Sequence, residues 1–263
     1  MDQGTVRVEY KDRVAILTLD QPDRLNAMDD DMAMNFEAAV EGLENGNQAK
    51  VVIVTGAGRA FSAGGNLQNM LSRVGGSPSA YQKNVYRFYK AFLRIMDLDV
   101  PTIAAINGSA VGAGACLSLA CDMRLAATGA VIGFPFAVIG MHPGMGAEYF
   151  LTRLVGRART FELLMVGESV SAEEAWRMGL VNQVVPGEEL MDRAVSLATK
   201  IAARPVLPIR MLKESIDTAA RSDLEATLRR EAAYQGICFM TDDIKEGITS
   251  LIEKRRPHFT DEY

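Results

Sequence analysis

Cysteine and histidine are scarce in this sequence, which has three of the first and two of the second in 263 residues. The cysteines, Cys116, Cys121 and Cys238, form no CxxC pair, and their odd number argues against a disulfide framework. We therefore expect a reducing compartment, the cytoplasm. Because His142 and His258 lie far apart in the chain, the sequence predicts no metal site of the kind that histidine clusters build.

Long runs of one charge and long apolar runs are also missing. The 28 basic and 33 acidic residues give a net charge of −5, and no basic block stands out, so we expect no nucleic-acid partner. The apolar stretches are too short, or too interrupted by glycine, to cross a bilayer, so we expect no membrane partner. The N-terminal stretch has no apolar core followed by a cleavage site, which predicts no signal peptide.

The sequence does contain an alternation of apolar strands and amphipathic helices. Strands are predicted at 6–10, 14–19, 50–58 and 101–110, and helices at 29–43 and 79–98. This alternation is typical of parallel strands with helical crossovers, so the predicted fold class is α/β. After Gly144 the pattern is almost entirely helical, with a short strand at Leu180–Val185. We divide the chain into an α/β core, residues 1–200, and a C-terminal helical region, residues 201–263.

Two glycine-rich turns each follow a buried strand and precede a helix: GAGRAFSAGGNL, residues 56–67, and INGSAVGAGACLSLACD, residues 106–122. Glycine permits backbone angles with φ above zero and lets a ligand approach the main chain closely. Free backbone N–H groups at such a turn point outward beside the positive end of a helix. Two converging N–H groups can hold one oxygen that gains negative charge, which is an oxyanion hole. A phosphate cradle is the alternative, but no Lys-Ser/Thr pair or GxGxxG pattern accompanies either turn.

These two turns resemble the oxyanion segments of the crotonase (enoyl-CoA hydratase/isomerase) superfamily. The stretches GLVNQVVP and DDIKEGITSLIEKRRPHF are similar to later segments of the same family, and the resemblance spans Val6 to Phe259. It implies repeated ββα units that form two nearly perpendicular sheets, with a helical C-terminal region that makes a homotrimer or a dimer of trimers. It also implies an acyl-CoA thioester ligand, no cofactor besides that CoA, and backbone N–H donors at Gly65 and Ala113.

RLNAM, residues 24–28, is similar to the family segment that borders the pantetheine and adenine of CoA. The resemblance implies main-chain contacts at Ala27 and Ala63 and a contact from Arg24 to a phosphate. Lys254 matches a lysine that reaches the nucleotide bound by a neighbouring subunit, with Leu251 packed beside it. Alternatively, Arg24 and Lys254 are solvated surface charges.

The sequence departs from the family at the two glutamates with which its hydratases add water. One glutamate activates the water and the other transfers the proton to or from carbon, a division of labour that hydration needs. The first of these positions is Cys116 here, and the second is Phe136. Phenylalanine carries no proton, and a thiol in an apolar helix is usually inert packing. We therefore expect that the two-carboxylate hydration mechanism does not operate.

Other titratable side chains could replace the glutamates. The candidates are His142, just before PGMG, and Glu148, in the first turn of the next predicted helix. Alternatively, His142 structures its loop and Glu148 complements the helix dipole. The long helix offers further donors, which otherwise only form its amphipathic surface: Tyr81, Lys83, Tyr86 and Tyr89. The acyl pocket is expected to be apolar, with Cys116, Phe136, Met141 and Gly144 in its wall.

The resulting prediction is an enzyme that binds acyl-CoA thioesters and stabilises a thioester enolate in an oxyanion hole, related to enoyl-CoA hydratases and isomerases but without both glutamates. A second hypothesis keeps the ligand without the chemistry and makes the chain a non-catalytic acyl-CoA binding protein. A third is a related enzyme with a different outcome, either a decarboxylase or a thioester hydrolase. The apolar pocket favours a fatty or aromatic acyl group.

Overall fold

The computed structural model describes residues 5–46 and 48–260, and its strands build a larger and a smaller sheet. In spatial order, the larger sheet contains β1 (Val6–Lys11), β2 (Val14–Leu19), β3 (Val51–Gly56), β5 (Thr102–Ile106), β7 (Met123–Ala127) and β10 (Gln183–Val185). The smaller sheet contains β4 (Ala60–Ser62), β6 (Ser109–Val111), β8 (Val131–Gly133) and β9 (Val170–Ser171). The predicted α/β class is therefore confirmed.

Parallel pairing dominates the larger sheet. Its first pair, β1 and β2, is an antiparallel hairpin that turns at Asp12, where φ is +54°. From β2 to β10 each strand runs parallel to its neighbour. The central strands β3 (VVIVTG) and β5 (TIAAI) are buried along their whole length, as expected for parallel strands that are covered on both faces.

Helices cover these sheets and form nearly all of the C-terminal part. They are α1 (Asp30–Gly46), α2 (Leu67–Ser72), α3 (Pro78–Leu93), α4 (Ala113–Ala120), α5 (Ala147–Leu154), α6 (Gly156–Val166), α7 (Ala172–Arg177), α8 (Leu190–Ala202), α9 (Val206–Ala219), α10 (Leu224–Cys238) and α11 (Asp242–Ile252). Short 3-10 turns occur at Pro22–Arg24, Arg94–Asp97, Ala137–Ile139 and Gly187–Glu189. No helix among the described residues is long and apolar enough to cross a membrane.

A ββα unit repeats along the core. β3 leads to β4 and α2, β5 leads to β6 and α4, and β7 leads to β8 and then, after a 3-10 turn, to α5. Because each unit sends its first strand to the larger sheet and its second to the smaller one, the strand-to-helix turns of successive units lie side by side. This is the repeated arrangement that the family resemblance implies, and it brings the two glycine-rich turns together.

The sequence pattern alone locates neither the short strands β4, β8 and β9 of the smaller sheet nor α2; a second sheet is implied only by the family resemblance. Strands of two or three residues are too short to show the alternating pattern by which strands are recognised. The prediction of one helix from Ser79 to Leu98 is wrong at its end, because α3 stops at Leu93 and continues as a 3-10 turn over Arg94–Asp97.

The last helices contribute little to the core of this chain. No residue of α10 is buried, and Val206 is the buried residue of α9. Several large apolar side chains on α9 and α11 and in the link between α10 and α11 are exposed: Leu212, Ile216, Phe239, Met240, Leu251 and Ile252. This composition is typical of a surface that contacts another protein, and the boundary between core and helical region at residue 200 stays a prediction.

Candidate active site

The two glycine-rich turns touch each other through Gly64. Its φ is +85°, a conformation that favours glycine, and a methyl group built on it would overlap the carbonyl oxygen of Val111. The same methyl position lies 3.2 Å from the backbone nitrogen of Ala113. The backbone of the first turn therefore packs directly against the backbone of the second, with Gly65 next in the chain on one side and Ala113 on the other.

The backbone N–H groups of Gly65 and Ala113 have no hydrogen-bond acceptor among the described residues. On the first turn, the neighbours of Gly65 make the bonds: Met28 N–H donates to Gly64 at 2.7 Å, and Asn66 N–H donates to Met28 at 3.0 Å. Ala113 is the first residue of α4, where backbone N–H groups have no partner within the helix. Both donors are therefore available to a ligand.

A cavity of about 240 Å³ opens beside these donors. Its wall contains Ala63, Gly65 and Ala113 together with mainly apolar side chains. Those used below are Met28, Met70, Phe88, Phe136, Met141 and Met145. Electrostatic interactions are stronger in such apolar surroundings than in water, so two free N–H groups here suit an oxygen that becomes negatively charged.

The carboxylates in the described wall of this cavity, Asp29 and Asp30, are engaged elsewhere. Asp29 accepts a hydrogen bond from Met32 N–H at 3.0 Å, which caps α1, and forms an ion pair with Arg24 at 3.1 Å. Asp30 pairs with Arg73 at 2.6 Å. Both carboxylates are therefore already engaged by protein donors.

Ser62 and Asn26 hold the first turn from behind. The Ser62 hydroxyl donates to the Asn26 carbonyl at 2.7 Å and accepts from Gly64 N–H at 3.1 Å. The Asn26 amide donates to the carbonyls of Ala57 at 2.9 Å and Ala60 at 2.8 Å. Sequence reasoning missed both residues. The signal that could have found them is a polar residue in each apolar turn, since buried polar side chains are usually hydrogen-bonded.

Cys116 and Phe136 occupy different places relative to the cavity. Phe136 lies in its wall. Cys116 is fully buried on α4, and its thiol donates a hydrogen bond to the Gly144 carbonyl at 3.5 Å. Burial raises the pKa of the Cys116 thiol far above its ordinary value, so this sulfur stays protonated and unreactive.

Tyr89 is a titratable side chain in the wall of the predicted acyl pocket. It lies in the cavity wall on α3, and its hydroxyl occupies the space beside Gly144, where any side-chain carbon on Gly144 would overlap it. Met141 and Gly144, both predicted for the acyl pocket, are in the same wall. Burial of the ring raises the pKa of Tyr89 above its ordinary value, and Tyr81 and Cys116 add to the shift.

His142 Nε2 lies 3.2 Å from a carboxylate oxygen of Glu148, away from this wall. Their side chains are 81% and 56% exposed, and neither is among the described residues that line the cavity. The His142 Nδ1 also lies 2.8 Å from the Pro143 carbonyl. This arrangement matches the alternative in which the two residues structure a loop and a helix start, and their proposed role as proton carriers stays a prediction.

The residues predicted to hold CoA fall in two groups. Ala63 lies in the cavity wall, and Ala27 immediately precedes Met28 of that wall, with its N–H bonded to the Arg24 carbonyl at 3.1 Å. Leu251 and Lys254 are exposed at the far end of α11, outside the described cavity wall. Lys254 has φ of +55°, so the chain turns sharply at this position.

The described residues contain no group of three or more His, Cys, Asp or Glu side chains that could hold a metal ion. What the site offers is two backbone N–H donors without acceptors, an apolar cavity and a phenol.

Comparisons with known proteins identify a family for this chain. The family model described as enoyl-CoA hydratase/isomerase matches residues 9–262. The chain is 34% identical over 259 residues to a short-chain-enoyl-CoA hydratase of Clostridium acetobutylicum, covering 97% of each protein. It is 35% identical to a 1,2-epoxyphenylacetyl-CoA isomerase of Escherichia coli, covering 94% of this chain and 95% of that one. The crystal structure of an enoyl-CoA hydratase from Bacillus anthracis superposes with a TM-score of 0.92 at 33% identity, covering 98% of this chain and all of the other.

Proposed function

The chain belongs to the enoyl-CoA hydratase/isomerase family, and we propose that it binds an acyl-CoA thioester and stabilises the thioester enolate between the N–H groups of Gly65 and Ala113. The thioester carbonyl oxygen gains negative charge as the enolate forms. Two fixed donors stabilise that charge more than the neutral carbonyl, which lowers the barrier to the enolate.

One observation carries this proposal. The N–H groups of Gly65 and Ala113 have no acceptor, lie on either side of the contact that Gly64 makes between the two turns, and belong to residues that line an apolar cavity. In enzymes of other folds, removing one such donor costs roughly 3 to 4 kcal/mol of transition-state stabilisation. At room temperature that is a rate loss of about 100-fold to 1,000-fold.

We further propose that the enzyme does not use two carboxylates to add water. Cys116 and Phe136 stand where the family's hydratases have glutamates, and neither side chain replaces a carboxylate. Support comes from the buried, protonated thiol of Cys116 and from the hydrogen bonds and ion pairs that occupy Asp29 and Asp30.

CoA would lie along the first turn, with its pantetheine near the main chain of Ala27 and Ala63 and a phosphate near Arg24. Arg24 is about half exposed while it pairs with Asp29, so it is accessible to a phosphate. Lys254 would serve the nucleotide of a neighbouring subunit in a homotrimer or dimer of trimers in the cytoplasm. The exposed apolar surface of α9 to α11 supports such an assembly, and sedimentation velocity would measure it.

The test of the proposed chemistry is mass spectrometry of acyl-CoA thioesters incubated with the protein in D₂O. The panel contains short, long, aromatic and carboxylated acyl groups, with heat-inactivated protein as the control. Addition of water, loss of CO₂, release of free CoA, or deuterium gain alone would each report a different fate of the enolate. Binding without any change would identify an acyl-CoA binding protein instead.

Two variants at one position connect the result to the oxyanion hole. Gly65→Pro removes the N–H, whereas the matched control Gly65→Ala keeps it and adds a methyl group 3.2 Å from the flexible Met70 sulfur. We expect Gly65→Pro to lose about 100-fold or more in kcat/KM and Gly65→Ala to lose far less. Full activity of Gly65→Pro would contradict the assignment of this donor.

A further inference from the structure

We propose that Tyr89 is the catalytic proton donor of this site and that its phenol protonates the α-carbon of the bound enolate. This inference rests on the proposed function, because it needs an enolate held by Gly65 and Ala113. It assigns the proton-transfer step to a side chain that occupies neither glutamate position of the family.

The position of Tyr89 is the first argument. On α3, Tyr81, Val85, Phe88 and Tyr89 recur at helical spacing and together line the cavity that also contains Gly65 and Ala113. The same wall contains Phe136, at the position of a family glutamate. The phenol of Tyr89 therefore faces the same enclosed space as a thioester held by the two N–H groups.

Gly144 fixes where the hydroxyl lies. The Tyr89 oxygen fills the space in which Gly144 has no side chain, so a methyl group there would displace it. On its other side the Tyr89 ring contacts Phe88, with the ring centroids 6.3 Å apart and an edge-on orientation. The ring is thus held by packing, and the hydroxyl is placed without a hydrogen bond to another described residue.

An unpartnered phenol in an apolar wall is suited to donate. Burial raises the pKa of Tyr89 above 10.0, so the hydroxyl keeps its proton throughout the physiological range. No hydrogen bond joins the Tyr89 hydroxyl to another described residue, so the proton has no protein acceptor there. A neutral phenol is a weak acid, but an enolate carbon is far more basic than a phenolate, so the transfer is downhill.

Competing donors in the described site are less suitable. Asp29 and Asp30 are ion-paired with Arg24 and Arg73. The Cys116 thiol lies behind the wall and donates to a carbonyl. Tyr81 shares the wall but is 39% exposed, whereas Tyr89 is the more enclosed phenol.

The step balances without a cofactor. The electron pair of the enolate forms a C–H bond at the α-carbon with the phenolic proton, and the thioester carbonyl is restored. The O–H bond of Tyr89 breaks and leaves its electron pair on the phenolate oxygen. The phenolate then takes a proton from solvent water, which returns the site to its starting state.

A nitronate probe tests this step without knowledge of the natural substrate. S-(2-nitropropyl)-CoA, a neutral nitro thioether, is converted at high pH to its nitronate. The nitronate has the planar, charged oxygens of an enolate and a carbon that accepts a proton, although this carbon is less basic than that of an enolate. The nitronate is then mixed with protein in D₂O buffer near neutral pH. Loss of its ultraviolet absorption gives the rate of protonation at carbon, and the ratio of the two epimers of the deuterated product shows whether one face receives the deuteron.

Three variants are compared with the wild type. Tyr89→Phe removes only the hydroxyl, and Gly144→Ala keeps the phenol but displaces it. Tyr86→Phe is the matched control on the same helix, because Tyr86 is 66% exposed and lies outside the described cavity wall. Two measurements check that each variant is folded: its affinity for S-(2-nitropropyl)-CoA, the uncharged thioether from which the nitronate is made, and its thermal unfolding midpoint.

We expect the wild type to protonate the bound nitronate about 100-fold faster than buffer does and on one face, as positioned acids typically achieve. Tyr89→Phe and Gly144→Ala should bind it but lose the acceleration and the facial selectivity, while Tyr86→Phe keeps both. Wild-type rate and selectivity in Tyr89→Phe would overturn the assignment of Tyr89 and leave the oxyanion hole intact. If the wild type does not prefer the nitronate over the uncharged thioether, the oxyanion hole itself is refuted and the donor role with it.

Discussion

Replacing Gly114 with alanine should damage the oxyanion hole more than it damages the fold. Gly114 is the second residue of α4, directly after Ala113, and it packs against β4. A methyl group there would lie 2.6 Å from the side-chain carbon and the carbonyl oxygen of Ser62 and 2.8 Å from its hydroxyl. Since Ser62 bonds to Gly64 N–H, the methyl group pushes apart the two segments that carry Gly65 and Ala113.

The magnitude follows from two opposing effects. Overpacking a close contact costs about 1 to 3 kcal/mol, whereas alanine in place of glycine in a helix returns up to about 1 kcal/mol. The net loss of unfolding free energy is therefore about 0 to 3 kcal/mol. Misplacing one catalytic group by about 1 Å can cost about 100-fold in rate, so the functional loss should be the larger effect.

Gly42 provides the matched control. It lies in the exposed face of α1, and a methyl group on it would meet nothing within 4 Å. Gly42→Ala should stabilise the protein by about 0.5 to 1 kcal/mol and leave the site unchanged. The difference in unfolding free energy between the two variants, measured with urea, then isolates the packing cost at Gly114.

Two measurements are made on each variant: this urea titration, and the ratio of its affinities for the nitronate and for the uncharged thioether. The value of kcat/KM is added once a thioester substrate is identified. Gly114→Ala should lose most of that preference while it remains folded. If Gly114→Ala is as stable as Gly42→Ala and keeps the wild-type preference, the contact between α4 and β4 does not position the donors and the reasoning is refuted.

Three further predictions concern the support of the site and the chain end. Asn26→Ala removes donors to two buried carbonyls and should lower the unfolding free energy by roughly 2 to 4 kcal/mol; a loss below about 1 kcal/mol in a urea titration would contradict this account. Arg124 is buried, which lowers the pKa of its guanidinium group, and it donates hydrogen bonds to the carbonyls of Leu180 at 2.8 Å and Cys121 at 2.6 Å. Arg124→Met should lower the unfolding free energy by about 3 kcal/mol in a urea titration, and an unchanged stability would argue against a structural role. Hydrogen bonds from Arg255 lower the pKa of Glu246 from 4.5 to about 2, so its contribution to stability is present above pH 4.5 and is lost as the pH falls through about 2. At pH 3.5 the wild-type segment 255–260 should resist pepsin while Glu246→Gln exposes it, and equal cleavage of both proteins would show that this pair does not hold the segment.

The larger sheet could be predicted from the sequence because its central strands are continuous apolar runs. VVIVTG of β3 and TIAAI of β5 are buried along their whole length and end at glycine-rich turns. Such runs are recognisable without knowledge of their neighbours. The same local signal located both turns of the proposed oxyanion hole, since glycine after a buried strand is visible in the chain itself.

The strands of the smaller sheet could not be located from the local sequence pattern, because they depend on partners far away in the chain. β4 has three residues, AFS, and becomes a strand only by pairing with β6, almost fifty residues later. Asn26 is a similar case. Its φ is +53°, and its amide bonds to carbonyls more than thirty residues away, so its role exists only after the turn has folded onto it.

Tyr89 shows the same limit for chemistry. In the sequence it is one of several tyrosines on an amphipathic helix, and nothing local separates it from Tyr86. In the structure their surroundings differ, because the Tyr89 hydroxyl fills the space beside Gly144 whereas Tyr86 is exposed. The proposed role of Tyr89 depends on what packs around its hydroxyl, and the space for that hydroxyl is provided by Gly144, more than fifty residues later in the chain.

The combination of groups narrows the chemistry further than any one of them does. Two backbone donors without acceptors favour an enolate, and a phenol whose pKa is raised above 10.0 can give a proton but holds its own too tightly to take one. Such a site is better suited to protonating an enolate than to forming one by removing a proton from the α-carbon. It therefore favours thioesters whose enolate arises when another group departs, and a carboxyl group lost as CO₂ is the simplest example. Carboxylated thioesters should accordingly be the first members of the panel to react, and they should take up a single deuteron from D₂O in the product.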